Sequence, residues 1–389
     1  GNGETYPFFY YQRGMHNTGL QYDLPIFFWV EAFAGYNWYR SPSESEMRML
    51  VFSSLATGAK GIGYFLYELD PTTPPDFTNA LVDRFGVPTT LYNYAQGINS
   101  EVAYLGNYLR CLGNTDYRFI LGVDNSLPNA GVLGLYEWAP GTGDDYHLIG
   151  VTTNGNTNGD GIFDHEDGII SLFTDDAGAR YIMVTNLNRG MSLSATAAQL
   201  QYTLTFDDTI NTIYRKNRTT GLIDTIALTN HSYTWTLPGG TGDLFAYSTF
   251  DTTAPTGSIS INGGNATAKY SNVNLTLSAS DAGTVYAMRF SNDNTFWSNW
   301  IPYSISASWN LKTGNGTRTV YVQFEDQLAN VSSTYADSIT VDSTLTDTGN
   351  PGTPGTPTDA GSYSNSSVKF NWTAASDTLS GVAGYNCRV

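Results

Sequence analysis

The stretch Pro25–Val30 (PIFFWV), which runs directly into Glu31, decides the fold of the first part of the chain. A continuous apolar run of this length is typical of a strand that is buried on both faces. Gly61–Tyr67 (GIGYFLY) has the same character and predicts a second buried strand. A helical pattern lies between the two runs. The order strand–helix–strand predicts parallel strands joined by a right-handed crossover.

Two helices are predicted around these strands. The first follows Ser41–Glu46 (SPSESE), where two N-termini are possible. Either Ser41 caps the helix with Pro42 at its first position, or Ser43 and Glu46 form a capping box. The second helix is indicated by apolar residues at alternating spacings of four and three. These residues are Leu91, Ala95, Ile98, Val102, Leu105, Leu109 and Leu112.

From about Val123 the pattern changes to short alternating strands separated by Gly, Asn and Asp. Such strands at close spacing are typical of an all-β sandwich. The predicted strands are Val132–Trp138, Ile169–Phe173, Tyr181–Thr185, Gln201–Phe206, Thr212–Lys216, Tyr233–Leu237 and Leu244–Phe250.

The composition excludes several classes of partner. The chain has 389 residues and a formal net charge of −17, so it is expected to bind neither nucleic acid nor an anionic membrane surface. No apolar run approaches the roughly 20 residues of a transmembrane segment. Cys111 and Cys387 lie far apart and are interpreted as free thiols. Few lysines and many Tyr, Asn and Thr residues favour export. The chain begins at Gly1 and ends at Val389 within a strand-like pattern, so we expect a fragment.

Glu31 is the first candidate for chemistry. Barrel enzymes place catalytic groups at the carboxyl ends of parallel strands, which is where this carboxylate lies. Aromatic residues surround it, and a sugar ring stacks on aromatic faces while polar groups bond its hydroxyls. Spacing alone leaves an equal alternative, in which Glu31 is a buried ion-pair partner of Arg40. The surrounding aromatic residues are Trp29, Phe33, Tyr36, Trp38 and Tyr39.

Four motifs together resemble the end of a (β/α)₈ barrel of glycoside hydrolase family 42, the β-galactosidases, and related barrel glycosidases. The resemblance implies that Pro25–Val30 is the seventh barrel strand, that Gly61–Tyr67 is the eighth, and that Glu31 is the nucleophile. Tyr6–Phe8 resembles the end of the sixth strand. The motifs are Ile26–Glu31 (IFFWVE), Asn37–Trp38, Glu46–Arg48 (EMR) and Ala56–Phe65 (ATGAKGIGYF).

The resemblance implies a retaining reaction, which needs two carboxyl groups about 5–5.5 Å apart. The general acid of the family follows the fourth strand, which this chain lacks. Glu68 is a weaker candidate for the acid, because it ends the neighbouring strand whereas the family uses opposed strands. We expect Arg40, Tyr67 and Glu68 to line the cleft and to contact substrate together with Trp29, Tyr36 and Trp38.

A second motif, Asn156–Asp167 (NTNGDGIFDHED), has oxygen-bearing side chains at loop positions 1, 3, 5, 9 and 12 and Gly161 at position 6. This layout is typical of a calcium loop. An Asn/Gly/Asp-rich hairpin is the alternative. The predicted structural Ca²⁺ is the one cofactor expected, with no organic cofactor. Its ligands are Asn156, Asn158, Asp160, Asp164 and Asp167.

The C-terminal part resembles accessory modules of exported enzymes. Residues 252–342 are similar to bacterial Ig-like modules through Tyr286–Asp293, Trp297–Trp300 and Arg318–Asp326. Residues 359–389 resemble the opening of a fibronectin type III domain. Trp297, Trp300 and Trp309 form either a sugar platform or ordinary packing, with packing the simpler interpretation.

The sequence thus predicts a multidomain protein, with a partial (β/α)₈ TIM barrel followed by all-β sandwich domains. The predicted function is that of an exported glycoside hydrolase at the cell surface or outside the cell, acting on a carbohydrate and attached through its β modules. The fragment itself is expected to be inactive alone, because it lacks the predicted general acid. The alternative is a non-catalytic carbohydrate-binding, adhesion or scaffold protein with a degenerate barrel. The predicted segments are barrel (1–122), accessory sandwich (123–250), Ig-like module (251–345), Pro/Gly linker (346–358) and truncated fibronectin-like module (359–389).

Overall fold

The computed structural model describes residues 5–36, 39–70, 72–120, 136–154, 168–345, 355–356, 358–359 and 370–371. The chain divides into two compact units, Gly1–Asp251 and Thr252–Val389.

The first unit opens with a helical region around a parallel strand pair. Strands β1 and β3 pair in parallel, with Phe27 opposite Gly61 and Glu31 opposite Phe65. Both predicted apolar runs therefore form neighbouring strands. The predicted burial of both faces was wrong for β1, because Phe27 and Trp29 on one face are exposed. Short strands β2 and β4 pair in antiparallel fashion beyond them. The elements are α1 (Thr5–Tyr22), β1 (Phe27–Glu31), β2 (Ala34–Gly35), α2 (Glu44–Ala56), β3 (Gly61–Phe65), β4 (Phe77–Asn79) and α3 (Thr90–Leu109).

Helix α1 corrects one prediction. Tyr6–Phe8, which resembled the end of a sixth strand, lies inside this helix. The helix buries polar residues: Gln12 donates to Ser54 Oγ at 3.0 Å, and His16 Nδ1 lies 3.1 Å from the Thr57 carbonyl oxygen. Because the buried face is polar, α1 lacks the apolar periodicity that reveals a helix.

Helix α2 begins at the second of the two predicted N-termini. The Glu46 backbone N–H donates to Ser43 Oγ at 3.3 Å, and the Ser43 N–H donates to Glu46 Oε2 at 2.8 Å. These reciprocal bonds form a capping box, and Ser41 and Pro42 lie outside the helix. Met47 and Val51 are buried.

Helix α3 confirms the predicted periodicity. Its buried face carries Leu91, Ala95, Ile98, Leu105 and Leu109. Val102 is half-buried, and Leu112 is buried just beyond the helix. The apolar spacing of three and four therefore gives the packed face of the helix.

A β-sandwich follows in the first unit. Within the described residues, one sheet has the order β11-β10-β13-β8-β7-β5 and the other has the order β12-β9-β6. Ile170, Val184 and Leu204 belong to its buried core. The strands are β5 (Gly113–Ile120), β6 (Leu148–Thr153), β7 (Gly168–Thr174), β8 (Arg180–Asn186), β9 (Leu200–Phe206), β10 (Thr212–Lys216), β11 (Ile223–Ala227), β12 (Ser232–Leu237) and β13 (Gly242–Ala246).

The sandwich confirms the predicted all-β pattern and changes some strand limits. The strand predicted at Leu244–Phe250 ends at Ala246. Most of Val132–Trp138 lies outside the described residues. Strand β5 pairs with β7, so the sheet already begins within the range predicted as barrel. The parallel sheet described in the first unit consists of β1 and β3, and a barrel remains a prediction.

A chain of ionic contacts holds the helices against the sandwich. Arg48 of α2 pairs with Glu101 of α3, and its Nε donates to Thr241 Oγ1 at 2.7 Å. Glu101 also pairs with Arg218 at 2.9 Å, and Arg218 pairs with Asp243 of β13, whose side chain is buried. The helical region and the sandwich therefore share one polar network.

The second unit contains another β-sandwich. Its described sheets have the orders β14-β16-β19 and β15-β21-β20-β17-β18. Leu275, Phe290 and Val322 lie in its core. The strands are β14 (Thr256–Ile261), β15 (Thr267–Ala268), β16 (Asn272–Ser280), β17 (Val285–Ser291), β18 (Ile301–Pro302), β19 (Ser306–Asn310), β20 (Gly316–Asp326), β21 (Tyr335–Val341), β22 (Thr358–Asp359) and β23 (Phe370–Asn371). The last two form an antiparallel pair.

Candidate functional site

Glu31 is the last residue of β1 and faces Phe65, the last residue of β3. The next residue, Ala32, donates its N–H to the Phe65 carbonyl at 2.6 Å, which fixes the chain as it leaves the strand. The Glu31 side chain is half-buried. The structure therefore places this carboxylate at the carboxyl edge of the parallel pair, as predicted.

Arg40 and Glu46 form an ion pair beside this edge. Arg40 donates to both carboxylate oxygens of Glu46, with Nη1 at 2.8 Å from Oε2. The ion pair that the structure shows for Arg40 is therefore with Glu46, in contrast to the predicted alternative of a pair with Glu31. Burial acts to raise the pKa of Glu46, but the hydrogen bonds from Arg40 and Ser43 outweigh it and lower the pKa overall.

The carboxyl group of Glu31 responds in the opposite direction. Burial raises its pKa above the ordinary value, and the negative charge of Glu46 adds to that rise, while the Arg40 guanidinium partly opposes it. Arg40 thus favours the ionised form of Glu46, whereas the surroundings of Glu31 favour its neutral form. Opposite shifts of nearby carboxyl groups occur both at sites of acid–base or nucleophilic chemistry and in structural ion-pair networks.

An open aromatic surface leads to Glu31 along β1. Trp29 lies two residues before Glu31, so both side chains leave the same face of the strand. Trp29 is 75% exposed. It covers Gly63 of β3, where a Cβ atom would come within 2.7 Å of the ring. Phe27 covers Gly61 in the same way. The glycines of β3 therefore leave room for two aromatic rings on this face.

A cluster of aromatic rings surrounds the strand ends. The Phe33 ring lies 5.5 Å from Phe65 and 5.4 Å from both Tyr39 and Phe77, measured between centroids. Tyr36 packs on Phe77 at 5.0 Å. Tyr36 has a left-handed backbone with φ of 55°, and its N–H donates to the Asp76 carbonyl at 2.8 Å. A bulky residue in this region signals a locally constrained segment.

The predicted site residues fall into three groups. Glu31, Trp29, Tyr36 and Arg40 lie on β1 or in the segment that follows it. Tyr67 and Glu68 follow β3 and are exposed, with Glu68 bridged to Val82. Trp38 lies outside the described residues, as do the five predicted calcium ligands Asn156, Asn158, Asp160, Asp164 and Asp167.

Sequence reasoning missed the electrostatic role of Glu46 and the ring of Phe77. The sequence accounts for Glu46 as a helix-capping carboxylate, which it is. That capping role explains its presence without reference to Arg40. Phe77 lies on β4, a strand of three residues. So short an element carries no periodic signal.

Among the described helices, none combines the length and apolar character that a membrane crossing requires.

No family model matches the chain. No curated protein matches it.

Several solved structures show weak similarity. Fibronectin(III)-like modules from Clostridium thermocellum are 14% identical, with 39% of this chain and 90% of that chain covered and a TM-score of 0.23. A glycoside hydrolase domain, Endo-D from Streptococcus pneumoniae, is 9% identical, with coverages of 85% and 71% and a TM-score of 0.20. A tetra-tandem repeat of the extending region of a large adhesion protein is 12% identical, with coverages of 50% and 66% and a TM-score of 0.19. Similarities of this size carry no assignment of function.

Proposed function

We propose that the first unit binds a carbohydrate at the carboxyl edge of β1 and β3, and that Glu31 is the nucleophile of a retaining glycoside hydrolase. The observation that carries the proposal is the placement of Glu31 and the open Trp29 ring on one face of the same strand. An aromatic face next to a carboxylate suits a sugar, whose apolar C–H face stacks while its hydroxyl groups form hydrogen bonds.

In this mechanism the Glu31 carboxylate attacks the anomeric carbon as the bond to the leaving oxygen breaks, and that oxygen takes its proton from the general acid that the family resemblance assigns to the fourth barrel strand. The product is a covalent glycosyl ester on Glu31, which water then hydrolyses with overall retention of configuration. Attack requires the ionised form of Glu31. Because burial and Glu46 raise the pKa of Glu31, the rate of this step should rise with pH until the carboxyl group is fully ionised.

The proposed fold of residues 1–122 is the end of a (β/α)₈ barrel of the family 42 type. It is supported by the parallel pairing of β1 with β3 across helix α2. In a barrel that contains these two neighbouring strands, Phe27, Trp29 and Glu31 would share the interior face. Glu31 would then lie at the end of the barrel where such enzymes carry their catalytic groups.

The second candidate function is a non-catalytic carbohydrate-binding or cell-surface protein. It is favoured by the state of Glu46, whose negative charge acts on Glu31. Both Glu46 oxygens are bound by Arg40, and Ser43 donates to one of them as well. A carboxylate held ionised in this way is unsuited to protonate a leaving group.

Export and calcium binding complete the proposal. We place the chain outside the cell or at its surface, where the β modules would attach it to a polymer or a cell wall. We also propose that the loop at 156–167 binds a structural Ca²⁺. Titration of the chain with Ca²⁺ by calorimetry should show one site that Asp160→Ala abolishes. An unchanged isotherm in the variant would refute the calcium site.

A paired assay tests the catalytic proposal. The 389-residue chain and its Glu31→Gln variant are tested for binding and turnover on a panel of aryl glycosides and neutral polysaccharides. Glu137→Gln is the matched control, because Glu137 is an exposed carboxylate of the same unit that bridges to Phe119 of β5.

Because the chain lacks the predicted general acid, we expect no hydrolysis of the polysaccharides and a residual reaction only on aryl glycosides whose leaving groups depart without protonation. The control should keep this residual reaction, and Glu31→Gln should lose it by several powers of ten. Sugar binding without turnover by any form would favour the second candidate. If no form of the chain shows binding or turnover, both candidates are refuted.

A further inference from the structure

The loop that joins β17 to β18 in the second unit holds an aromatic ring out in solvent. Phe296 is 80% exposed. Single exposed apolar residues are common on protein surfaces and need no explanation by themselves. This ring differs from such residues because its loop is fixed by hydrogen bonds at the tip and by cation–π contacts of Arg289 at the base.

The tip of the loop is built around Asp293. One carboxylate oxygen accepts the backbone N–H of Phe296 at 2.8 Å and that of Thr295 at 3.0 Å. Ser291 Oγ accepts the N–H of Asn294 at 2.9 Å. The Phe296 and Thr295 N–H groups lower the pKa of Asp293 to about 2, so the carboxylate stays charged at neutral pH. The backbone that carries Phe296 is therefore fixed before any ligand binds.

Two tryptophans support the loop from behind. The Arg289 guanidinium carbon lies 4.5 Å from the Trp300 ring centroid and 5.0 Å from that of Trp297, which places the cation between the two rings. Arg289 is itself held by Gln323 Oε1, at 2.9 Å from Nε and 2.6 Å from Nη2. Both rings are half-buried. Such cation–π contacts fix the base of the loop against β17.

Trp309, the third residue of the predicted platform, has a different place. Its Nε1 donates to Asn292 Oδ1 at 3.0 Å, and its ring packs on Phe290 at 5.3 Å. It therefore belongs to the packing beneath the loop.

The exposed residues on either side of Phe296 are uncharged and polar, and the Asp293 carboxylate nearby is paired with Lys312 at 3.4 Å. Asn294, Thr295 and Asn299 are exposed beside Phe296 and offer amide and hydroxyl groups. The net charge of −17 disfavours polyanionic ligands. A fixed aromatic ring with neutral hydrogen-bonding groups suits a sugar ring, and a rigid loop lowers the entropy lost on binding. A protein partner would need about 800 Å² per side, far more than one short loop offers.

We propose that this loop is a binding site for neutral saccharides, with Phe296 as the stacking ring. The site does not include Glu31, and binding there involves no hydrolysis. This proposal can therefore be tested independently of the catalytic proposal.

The test measures retention of the whole chain on insoluble neutral polysaccharides, namely cellulose, xylan, mannan and starch. Phe296→Ala removes the ring from an exposed position, so the variant should fold normally. Phe85→Ala is the matched control, because Phe85 is 89% exposed in the first unit. Trp29→Ala is run in parallel to separate this site from the one at Glu31.

We expect Phe296→Ala to weaken binding to at least one polymer about tenfold, the effect of losing one stacking ring with its buried area. Phe85→Ala should bind as the wild type does. Asp293→Ala, which removes the acceptor that fixes the tip, should also weaken binding. Equal binding by Phe296→Ala and the wild type would overturn the proposal. Failure of the wild type to bind any of the polymers would also overturn it.

Discussion

At the scale of single residues, Glu31 and Glu46 show how surroundings shift the pKa values of two identical side chains in opposite directions. Glu46 is tied to Arg40 and to the N-terminus of α2, and these contacts favour its charge. Glu31 is half-buried at a strand end and carries a raised pKa. The strand end was predictable from the apolar run before it. The pairing of Arg40 with Glu46 instead of Glu31 was not predictable, because it depends on three-dimensional distance.

The raised pKa of Glu31 predicts a stability effect. A carboxyl group with a higher pKa in the folded than in the unfolded state destabilises the fold as pH rises from its ordinary value through the raised value. Glu31→Gln should therefore increase the free energy of unfolding at pH 7 by about 0.5–2 kcal/mol, as substitutions at strained functional sites do. The gain should shrink toward pH 4, where Glu31 is protonated. Urea unfolding at both pH values measures it.

Glu137→Gln serves as the control for this prediction and should shift the free energy of unfolding by less than about 0.5 kcal/mol. A Glu31→Gln variant that is less stable than the wild type at pH 7 would show that burial does not disfavour the ionised form of Glu31.

At the scale of elements, the helices differ in how clearly the sequence predicts them. Helix α3 has an apolar periodicity that gives its packed face directly. The sequence of helix α1 does not reveal its packed face, because Gln12, Arg13 and His16 are among its buried side chains. Strand β5 was missed for a related reason, since its first buried residue is the polar Asn114 and an irregularity between Asn114 and Asp116 breaks the alternation.

The capping box of α2 predicts a measurable loss. Ser43→Ala removes the acceptor of the Glu46 N–H and also a hydrogen bond that Ser43 Oγ donates to the Gly190 carbonyl at 2.8 Å. The free energy of unfolding should fall by roughly 0.5–2 kcal/mol. Ser100→Ala, on an exposed position of α3, is the control and should change it by less than about 0.5 kcal/mol. Equal effects of the two substitutions would show that the cap is not stabilising.

Helix α1 gives a pH-dependent prediction. Burial lowers the pKa of His16, and the nearby Arg13 adds to that effect against the opposing Thr57 carbonyl. The unfolded chain therefore takes up a proton more readily than the folded one, so stability should fall as pH drops below about 6.5. This group contributes a slope of at most about 1.4 kcal/mol per pH unit. In His16→Gln, urea unfolding between pH 7 and pH 5 should lose this slope, and an unchanged slope would exclude His16 as its source.

At the scale of the whole molecule, two β-sandwiches account for most of the described strands. Their alternating patterns made the class predictable. The polar network that joins helices to sandwich in the first unit was not, because Arg48, Glu101, Arg218 and Asp243 are far apart in sequence. Long-range ionic contacts leave no periodic pattern, and each residue alone resembles an ordinary surface charge.

Asp243 is the buried end of this network. It accepts from Arg218 and from Trp235 Nε1, the latter at 3.1 Å, and also faces Arg215. Asp243→Ala leaves the buried Trp235 N–H without its acceptor, while Arg218 keeps Glu101 and Arg215 keeps Asp224. The free energy of unfolding of the first unit should fall by about 3 kcal/mol, the lower end of the range for a broken buried pair. Lys312→Gln, which breaks an exposed pair with Asp293, should lower that of the second unit by no more than about 1 kcal/mol. Thermal unfolding of both variants measures the contrast.

The most direct test of the role of Glu31 is to trap the covalent intermediate. Activated 2-deoxy-2-fluoro aryl glycosides carry leaving groups that depart without protonation, so the trap depends on the nucleophile alone. After incubation with a panel of these reagents, the chain is digested with a protease and the masses of its peptides are measured by mass spectrometry. We predict that the peptide containing Glu31 gains the mass of one fluorosugar and that Glu31→Gln gains none. A fluorosugar on a different carboxylate, or no adduct with any reagent, would contradict the assignment of Glu31 as the nucleophile.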